Sequence, residues 1–319
     1  MPGFIDSHTH LIFPPPGEGD DVSAARKVNG WSCRRLQSRA HAYLEAMARH
    51  GTTTVEAKTS GLPDESLETK LLRSLRGMRG APLDVVSTVR LNTQGLSNPG
   101  LVELLARVWK RGLARFADVY SLESAEAARS IGFRCKIHAD HEDPSDAIAT
   151  GLRCGAISID HLEHITPAHA QAIGQSDAVA TLLPYTGLRE GARSAPARAL
   201  IDAGAAIALA SNFSPRHTPS LNMQTVVALA SMRMGLTTAE AISAATINGA
   251  HALDCASRTG SIELGKSADI LVLNLADYRE LSAQFGVNLT YLTMRHGECI
   301  YEEAEVGPKA SPGAEPWAG

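Results

Sequence analysis

The stretch Gly3–His10, which reads Gly-Phe-Ile-Asp-Ser-His-Thr-His, is the part of the sequence that decides the fold. Its apolar start predicts a buried strand, and successive side chains of a strand point to opposite faces. His8 and His10 are two residues apart, so they lie on one face at the end of that strand. Two adjacent imidazoles provide half of a metal site, although such a pair also arises by chance in a chain with 12 histidines.

Further short apolar runs follow the first one and alternate with helical patterns, most of which stop at a glycine. With the first run they predict eight strands: Gly3–His10, Thr52–Lys58, Leu83–Leu91, Phe116–Ser121, Arg134–Asp140, Ala156–Glu163, Ala178–Pro184 and Ala206–Asn212. Eight strand–helix units in series predict an α/β fold, the (β/α)8 TIM barrel. A doubly wound sheet is the alternative, but it needs no eighth strand and usually begins with a glycine-rich turn, which the sequence lacks.

The residues after strand eight predict a small β-sandwich appendage, whose completeness the sequence leaves open. The predicted elements are two helices and two strands, at Ser220–Met234, Thr237–Leu253, Asp269–Leu273 and Leu289–Met294. We therefore divide the chain into a barrel over residues 1–255, an appendage over 256–305 and a tail over 306–319. The tail is rich in proline, glycine and alanine, which predicts disorder.

Composition narrows the class of protein. The net charge of −4 gives no basic surface for nucleic acid or for an anionic membrane. No apolar stretch approaches the ~18 residues of a membrane-spanning helix, and no signal peptide is visible. The five cysteines are scattered without a C-x-x-C motif, which indicates a reducing compartment and hence the cytoplasm.

Polar side chains also end three later strands. His138 ends strand five, His161 ends strand six and Asn212 ends strand eight. The active sites of such barrels form at the carboxyl ends of the strands, so these residues and the first histidine pair are expected to converge. One histidine alone is more simply a hydrogen-bonded core residue, but four at matching strand ends favour one metal ion per chain.

Three imidazoles with an open position suit Zn²⁺, with Fe²⁺ as the alternative. Such an ion lowers the pKa of bound water towards ~7 and stabilises an oxyanion. The sequence therefore predicts metal-assisted hydrolysis of a small molecule, at an amide-like C–N bond.

Several of these segments together resemble the amidohydrolase superfamily, and within it the imidazolonepropionases, which open a cyclic amide in histidine degradation. The segments that carry the resemblance are Pro2–His10, Gly51–Lys58, Lys136–Asp140, Asp160–Glu163, Gly260–Asp269 and Gln284–Asn288. The resemblance implies a mononuclear Zn or Fe site. Its ligands would be His8, His10, His138 and the residue that ends strand eight, while His161 would orient or deprotonate the hydrolytic water.

The sequence departs from that family at two positions near the expected metal. Asn212 stands where the family has an aspartate that serves as ligand and proton acceptor. An amide oxygen coordinates weakly and takes no proton, and a general base typically contributes ~10²–10⁴-fold to the rate. His141 stands where the family has an acid or an amide. Two interpretations of His141 stay open: a base that acts in place of Asn212, and a solvated loop histidine.

The substrate side differs as well. The segment after strand one lacks the arginine that the family uses for a substrate carboxylate, and Arg90 or Arg26 is the candidate to replace it. Asn92 lies near the place of a family histidine, and Lys58 precedes a loop without the family's tyrosine. Lys58, Arg90 and Asn92 are our substrate-binding candidates.

Two functions of different class remain. The first is an amidohydrolase with an altered site, which hydrolyses a cyclic amide or a related non-peptide C–N bond. The second is a catalytically impaired pseudoenzyme that keeps the barrel and a ligand pocket. Because the family usually has a β segment before strand one, the appendage is expected to expose a sheet edge. Either Met1 is not the natural start, or another chain covers that edge, for instance in a homodimer.

Overall fold

The computed structural model describes residues 1–14, 17, 20–61, 64–78, 80–91, 98–139, 146–186 and 193–304. Eight parallel strands form one sheet in chain order, with each strand hydrogen-bonded to the next. They are β1 (Phe4–Asp6), β2 (Thr52–Lys58), β3 (Asp84–Arg90), β4 (Phe116–Val119), β5 (Arg134–Ala139), β6 (Ser158–His161), β7 (Val179–Leu182) and β8 (Ile207–Leu209). This nearly closed sheet confirms the predicted (β/α)8 barrel.

Helices follow the strands and cover the outside of the sheet with their apolar sides. They are α1 (Asp21–Asn29), α2 (Cys33–Arg49), α3 (Glu65–Arg76), α4 (Asn98–Lys110), α5 (Leu122–Ile131), α6 (Ala147–Cys154), α7 (Pro167–Gly174), α8 (Ala197–Asp202), α9 (Met223–Met234), α10 (Thr238–Ala244) and α11 (Ile247–Ala252). Thr166 caps α7 through its side chain, and Pro167 begins the helix, which are the residue types that suit these two positions. None of the helices in the described ranges is long and apolar enough to cross a membrane.

The single helix predicted over Thr237–Leu253 is wrong, because α10 and α11 are separate. The Ala245 carbonyl lies between them and accepts a hydrogen bond of 2.9 Å from the Ile5 amide of β1. Gly249 of α11 lies so close to β1 that an added Cβ would come within 2.9 Å of the Ile5 carbonyl oxygen. The chain therefore bends to bond the first strand, a tertiary contact that helix periodicity does not reveal.

Side chains, rather than a regular ladder, join β1 to β8 and close the barrel. The Asp6 carboxylate accepts hydrogen bonds from the Ser211 amide at 3.0 Å and from its hydroxyl at 2.5 Å. Just beyond the two strands, Thr9 pairs with Phe213 in an isolated bridge. Burial raises the pKa of Asp6 to about 7. We call this junction the seam; it brings the chain after β1 beside the chain after β8.

The appendage is an antiparallel sheet of β9 (Ile270–Leu273), β10 (Thr290–Arg295) and β11 (Glu298–Glu302), with β10 in the middle. The first two strands match the sequence prediction, whereas β11 was not predicted. Met1 extends the sheet beside β9, since its ammonium donates to the Leu271 carbonyl and its own carbonyl accepts from the Leu271 amide, both at 2.9 Å. The predicted tail, 306–319, lies outside the described residues.

Candidate metal centre

Three histidines from three different strands meet at the carboxyl end of the barrel. His8 follows β1, His138 lies near the end of β5 and His161 ends β6. One ring nitrogen from each lies within 4.8 Å of the other two, and the Nε2 atoms of His138 and His161 are 2.8 Å apart. Within the described ranges this is the group of histidine, cysteine or carboxylate side chains whose spacing suits a metal ion.

The backbone is unusual at two of the predicted site positions. His161 and Asn212 have φ angles of +84° and +54°, and Leu162 follows with +70°. Residues other than glycine rarely adopt positive φ, and such conformations collect at functional sites, where the surrounding structure holds them. At the ends of β6 and β8 the chain therefore turns away from strand geometry where the sequence places its polar residues.

Buried carboxylates orient two of the imidazoles from below. The Nδ1 atom of His8 lies 2.8 Å from Oδ2 of Asp160, and that of His138 lies 3.2 Å from Oδ2 of Asp118. Because an ionised carboxylate only accepts hydrogen bonds, each imidazole carries its proton on Nδ1 and keeps a lone pair on Nε2. This arrangement of carboxylate behind histidine is typical of metal sites.

A buried set of charges supports these carboxylates. The Lys58 ammonium donates to Asp160 at 3.0 Å and to Asp118 at 3.1 Å, and the Lys136 ammonium donates to Glu56 at 2.8 Å. All five side chains are 0% exposed. Burial alone would raise the pKa of Asp160, but Lys58, Lys136 and the hydrogen bond from His8 together outweigh burial and hold that pKa well below its ordinary value.

The donor set fits a divalent ion with nitrogen ligands. Burial lowers the pKa of His8, His10 and His138 well below the usual value of an imidazole, so these rings are neutral near pH 7. In the part of the chain that the structure describes, His8 Nε2 and His10 Nδ1 are buried without a hydrogen-bond partner. Neutral imidazole nitrogens are ligands for zinc and for iron.

The other two predicted ligands lie nearby. The His10 ring centroid is 5.3 Å from that of His8, and His10 is outside the group of three nitrogens described above. The side-chain amide of Asn212 donates to the Thr186 hydroxyl at 3.1 Å, which leaves the amide oxygen as its possible ligand atom.

The predicted substrate residues have separate positions. Arg90 is at the site, since its Nε donates to the Tyr120 hydroxyl and the Tyr120 ring lies 5.5 Å from that of His138. Lys58 was expected to face substrate, but its ammonium is buried below the histidines. This corrects its placement: alternation along β2 turns the side chain into the barrel interior. His141 and Asn92 lie outside the described residues.

Sequence reasoning missed the layer of carboxylates and Tyr120. Asp118 and Glu56 are charged residues inside otherwise apolar strands. A charged residue in a buried strand needs a partner, so this signal was available in the sequence. Which partner it finds depends on the register between strands, and periodicity does not give that register.

Comparison with known proteins places this site in a family. A sequence profile described as "Amidohydrolase family" matches residues 122–298. The imidazolonepropionase of Porphyromonas gingivalis is 35% identical to the chain, over 94% of the chain and 81% of the relative.

Solved structures share the fold. The 5-methylcytosine deaminase of Klebsiella pneumoniae, liganded with 5-fluorocytosine, has a TM-score of 0.78 at 16% identity, over 95% of this chain and 86% of its own. An adenosine deaminase from Xanthomonas campestris with bound zinc has a TM-score of 0.65 at 16% identity, over 94% and 79%.

The family match and the relatives indicate a metal-dependent hydrolase that acts on a non-peptide C–N bond of a small molecule, and they give no support to the alternative of a pseudoenzyme. The chain belongs to the amidohydrolase family.

Proposed function

We propose that this chain hydrolyses a small cyclic amide of the imidazolone class. The observation that carries the proposal is the convergence of His8, His138 and His161 above carboxylates that fix two of the rings. The relatives named imidazolonepropionase support the choice of substrate.

In this proposal His8, His10 and His138 hold one zinc or iron ion, and the Asn212 amide oxygen completes the set weakly. The ion supplies Lewis-acid chemistry, which acidifies water and polarises an amide carbonyl. His161 lies within hydrogen-bond distance of His138, where it orients the attacking water and accepts its proton.

Arg90 and Tyr120 form the substrate-facing edge of the proposed site. The guanidinium carbon of Arg90 lies 5.4 Å from the centre of the Tyr120 ring, and its Nε donates to the hydroxyl, so the two side chains hold each other. A guanidinium in this place suits an anionic group on the substrate. His141 as a base and Asn92 as a substrate contact stay predictions from the sequence.

The test is metal content by elemental mass spectrometry, together with hydrolysis of an imidazolone propionate and a panel of cyclic amides. We expect about one zinc or iron per chain, which His8→Ala removes together with activity. His161→Ala should keep the metal while turnover falls by ~10²-fold or more. Hydrolysis that survives in a metal-free His8→Ala protein would contradict the mechanism, and loss of metal from His161→Ala would instead make His161 a ligand.

Three further points belong to the proposal. Elemental analysis decides between zinc and iron. The appendage exposes apolar surface at Val272, Phe285 and Val287, which supports a homodimer that covers this surface. Sedimentation velocity measures whether the protein is a dimer. The five cysteines are free, which supports a reducing compartment such as the cytoplasm.

A further inference from the structure

A single ammonium group lies under two of the histidines at once. Lys58 Nζ is 3.0 Å from Oδ2 of Asp160 and 3.1 Å from Oδ2 of Asp118. Those same two oxygen atoms accept the Nδ1 hydrogen bonds of His8 and His138. Each oxygen is therefore shared between the ammonium and one imidazole, so the position of Lys58 determines the position of both hydrogen-bond acceptors.

Among the described residues, Lys58 and the two imidazoles are the hydrogen-bond partners of those two oxygen atoms. The second oxygen of Asp160 accepts from the Ser158 hydroxyl at 2.6 Å, and that of Asp118 is buried without a partner in the described ranges. Both carboxylates are 0% exposed, so bulk water does not replace the ammonium. A buried charge that loses its partner is strongly unfavourable, so without the ammonium both carboxylates would move or admit water.

We infer that Lys58 is a positioning residue, one ammonium that fixes the orientation of His8 and His138 together through two shared carboxylate oxygens. The inference rests on the proposed function, in which these two histidines hold the ion. It assigns Lys58 a role that does not involve contact with substrate. Partners behind metal-binding histidines typically change metal affinity by 10–100-fold when removed, and Lys58 stands one layer further out but acts on two ligands.

Lys136 provides the matched control. It is also a lysine of the barrel interior with a 0% exposed side chain, and its ammonium pairs with a buried carboxylate, that of Glu56, at 2.8 Å. Its other acceptor is the Ser7 carbonyl at 3.0 Å, and within the described ranges it donates no hydrogen bond to Asp118 or Asp160, although its charge also lowers the pKa of Asp160. Lys58→Met and Lys136→Met therefore remove the same group from the same interior, and only the first removes the anchor of both histidines.

The experiment compares both variants with the unmodified protein in two measurements. The first is the ¹⁵N NMR spectrum of histidine-labelled, metal-free protein, which reports which ring nitrogen carries the proton. The second is Zn²⁺ affinity by competition with a chromophoric chelator. We expect Lys58→Met to change the signals of both His8 and His138 and to weaken Zn²⁺ binding at least tenfold. Lys136→Met should leave those signals in place and change the affinity less than threefold.

Equal effects of the two variants would overturn the inference, because they would show a merely structural role. If Lys58→Met does not fold, as judged by circular dichroism, Asp118→Asn and Asp160→Asn replace it. We then expect the first to change mainly the His138 signal and the second mainly the His8 signal; variants that leave both signals unchanged would overturn the inference. An unmodified protein that binds no Zn²⁺ contradicts the proposed function, whereas the NMR comparison still decides the role of Lys58.

Discussion

Asn212, our proposed weak ligand, is the residue whose identity bears most directly on the proposed chemistry. Its φ of +54° is a conformation that asparagine and aspartate adopt more readily than other side chains, so the backbone accepts either. The Thr186 hydroxyl accepts a hydrogen bond from the Asn212 amide. If residue 212 were an aspartate, the same hydroxyl could donate to its carboxylate. The position is therefore built for an aspartate as well as for the asparagine.

Asn212→Asp is expected to tighten metal binding and to raise turnover by ~10²-fold or more, because a carboxylate adds a charged ligand and a proton acceptor. Steady-state kinetics and Zn²⁺ affinity check this. Asn222→Asp is the control, since Asn222 caps α9 through its side-chain oxygen and an aspartate caps equally well. An Asn212→Asp protein with unchanged kinetics would show that this side chain takes no part in the reaction.

At this scale the sequence predicted that His8, His138 and His161 meet, because each lies at a strand end, whereas the predicted ligand His10 lies outside their group of nitrogens. The sequence did not predict that Lys58 turns inward to Asp118 and Asp160. Those contacts join three strands, and they depend on the register of β2, β4 and β6 across the barrel, which side-chain periodicity leaves open.

Among the elements, α3 holds the loop that follows β2. Glu68 of α3 is buried and accepts hydrogen bonds from the Ser60 hydroxyl at 2.5 Å and from the Gly61 amide at 3.0 Å. Burial raises the pKa of Glu68 to about 7, against the opposing effect of these bonds and of nearby Arg90. The helix therefore fixes the start of a loop beside the site with a carboxyl group that titrates near neutral pH.

The pKa of Glu68 has a defined effect on stability. Because it is higher in the folded chain than in the unfolded chain, the contribution of Glu68 is complete below about pH 4.5 and is lost as the pH rises through about 7. Between pH 5 and 8 the loss is on the order of 3 kcal/mol. Glu68→Gln should flatten this dependence in urea unfolding, whereas Glu103→Gln, at an exposed position of α4, should not. If the unmodified protein, Glu68→Gln and Glu103→Gln lose stability with pH in parallel, the assignment of this pH dependence to Glu68 is contradicted.

The elements show where sequence patterns succeed. The predicted bounds of β2 agree with the structure, because Gly51 is a clear stop signal just before it. The division into α10 and α11 was missed because it follows from contact with β1. Helix α1 was not predicted, and its mainly polar sequence offers little apolar periodicity.

Across the whole molecule, the appendage packs on the barrel at a glycine. Gly51 precedes β2 with a φ of +89°, and an added Cβ would come within 2.6 Å of the Leu271 side chain of β9. Gly80 has the same φ of +89°, and in the described ranges no heavy atom apart from its chain neighbours lies within 4 Å of an added Cβ. A comparison of alanine substitutions at the two glycines therefore distinguishes the cost of backbone strain, which both share, from the cost of crowding between the barrel and the sheet, which arises at Gly51 alone.

Gly51→Ala and Gly80→Ala should each lose about 1–3 kcal/mol through positive φ. Gly51→Ala should lose a further ~1–3 kcal/mol, because Leu271 must move within a packed interface. Differential scanning calorimetry measures both losses. If the two variants unfold at the same temperature, β9 does not depend on close packing against the barrel.

The eight-strand architecture followed from counting strand–helix units, whereas the way the barrel closes did not. Closure relies on hydrogen bonds between Asp6 and Ser211, two polar residues that are 205 positions apart in the sequence. Their sequence separation makes the pairing invisible to local patterns, although both residues lie within segments that the sequence marks as strands.

The seam also lies between the proposed metal ligands. His8 and His10 stand on one side of it, and Asn212 stands on the other. In the described part of the chain, neighbouring strands from β1 to β8 are joined by ladders, whereas an isolated bridge joins the chain after β1 to the chain after β8, so the seam has fewer main-chain bonds to resist separation. We therefore expect opening of the barrel to be easiest at the seam, where it would change the distance between the two proposed histidine ligands and Asn212.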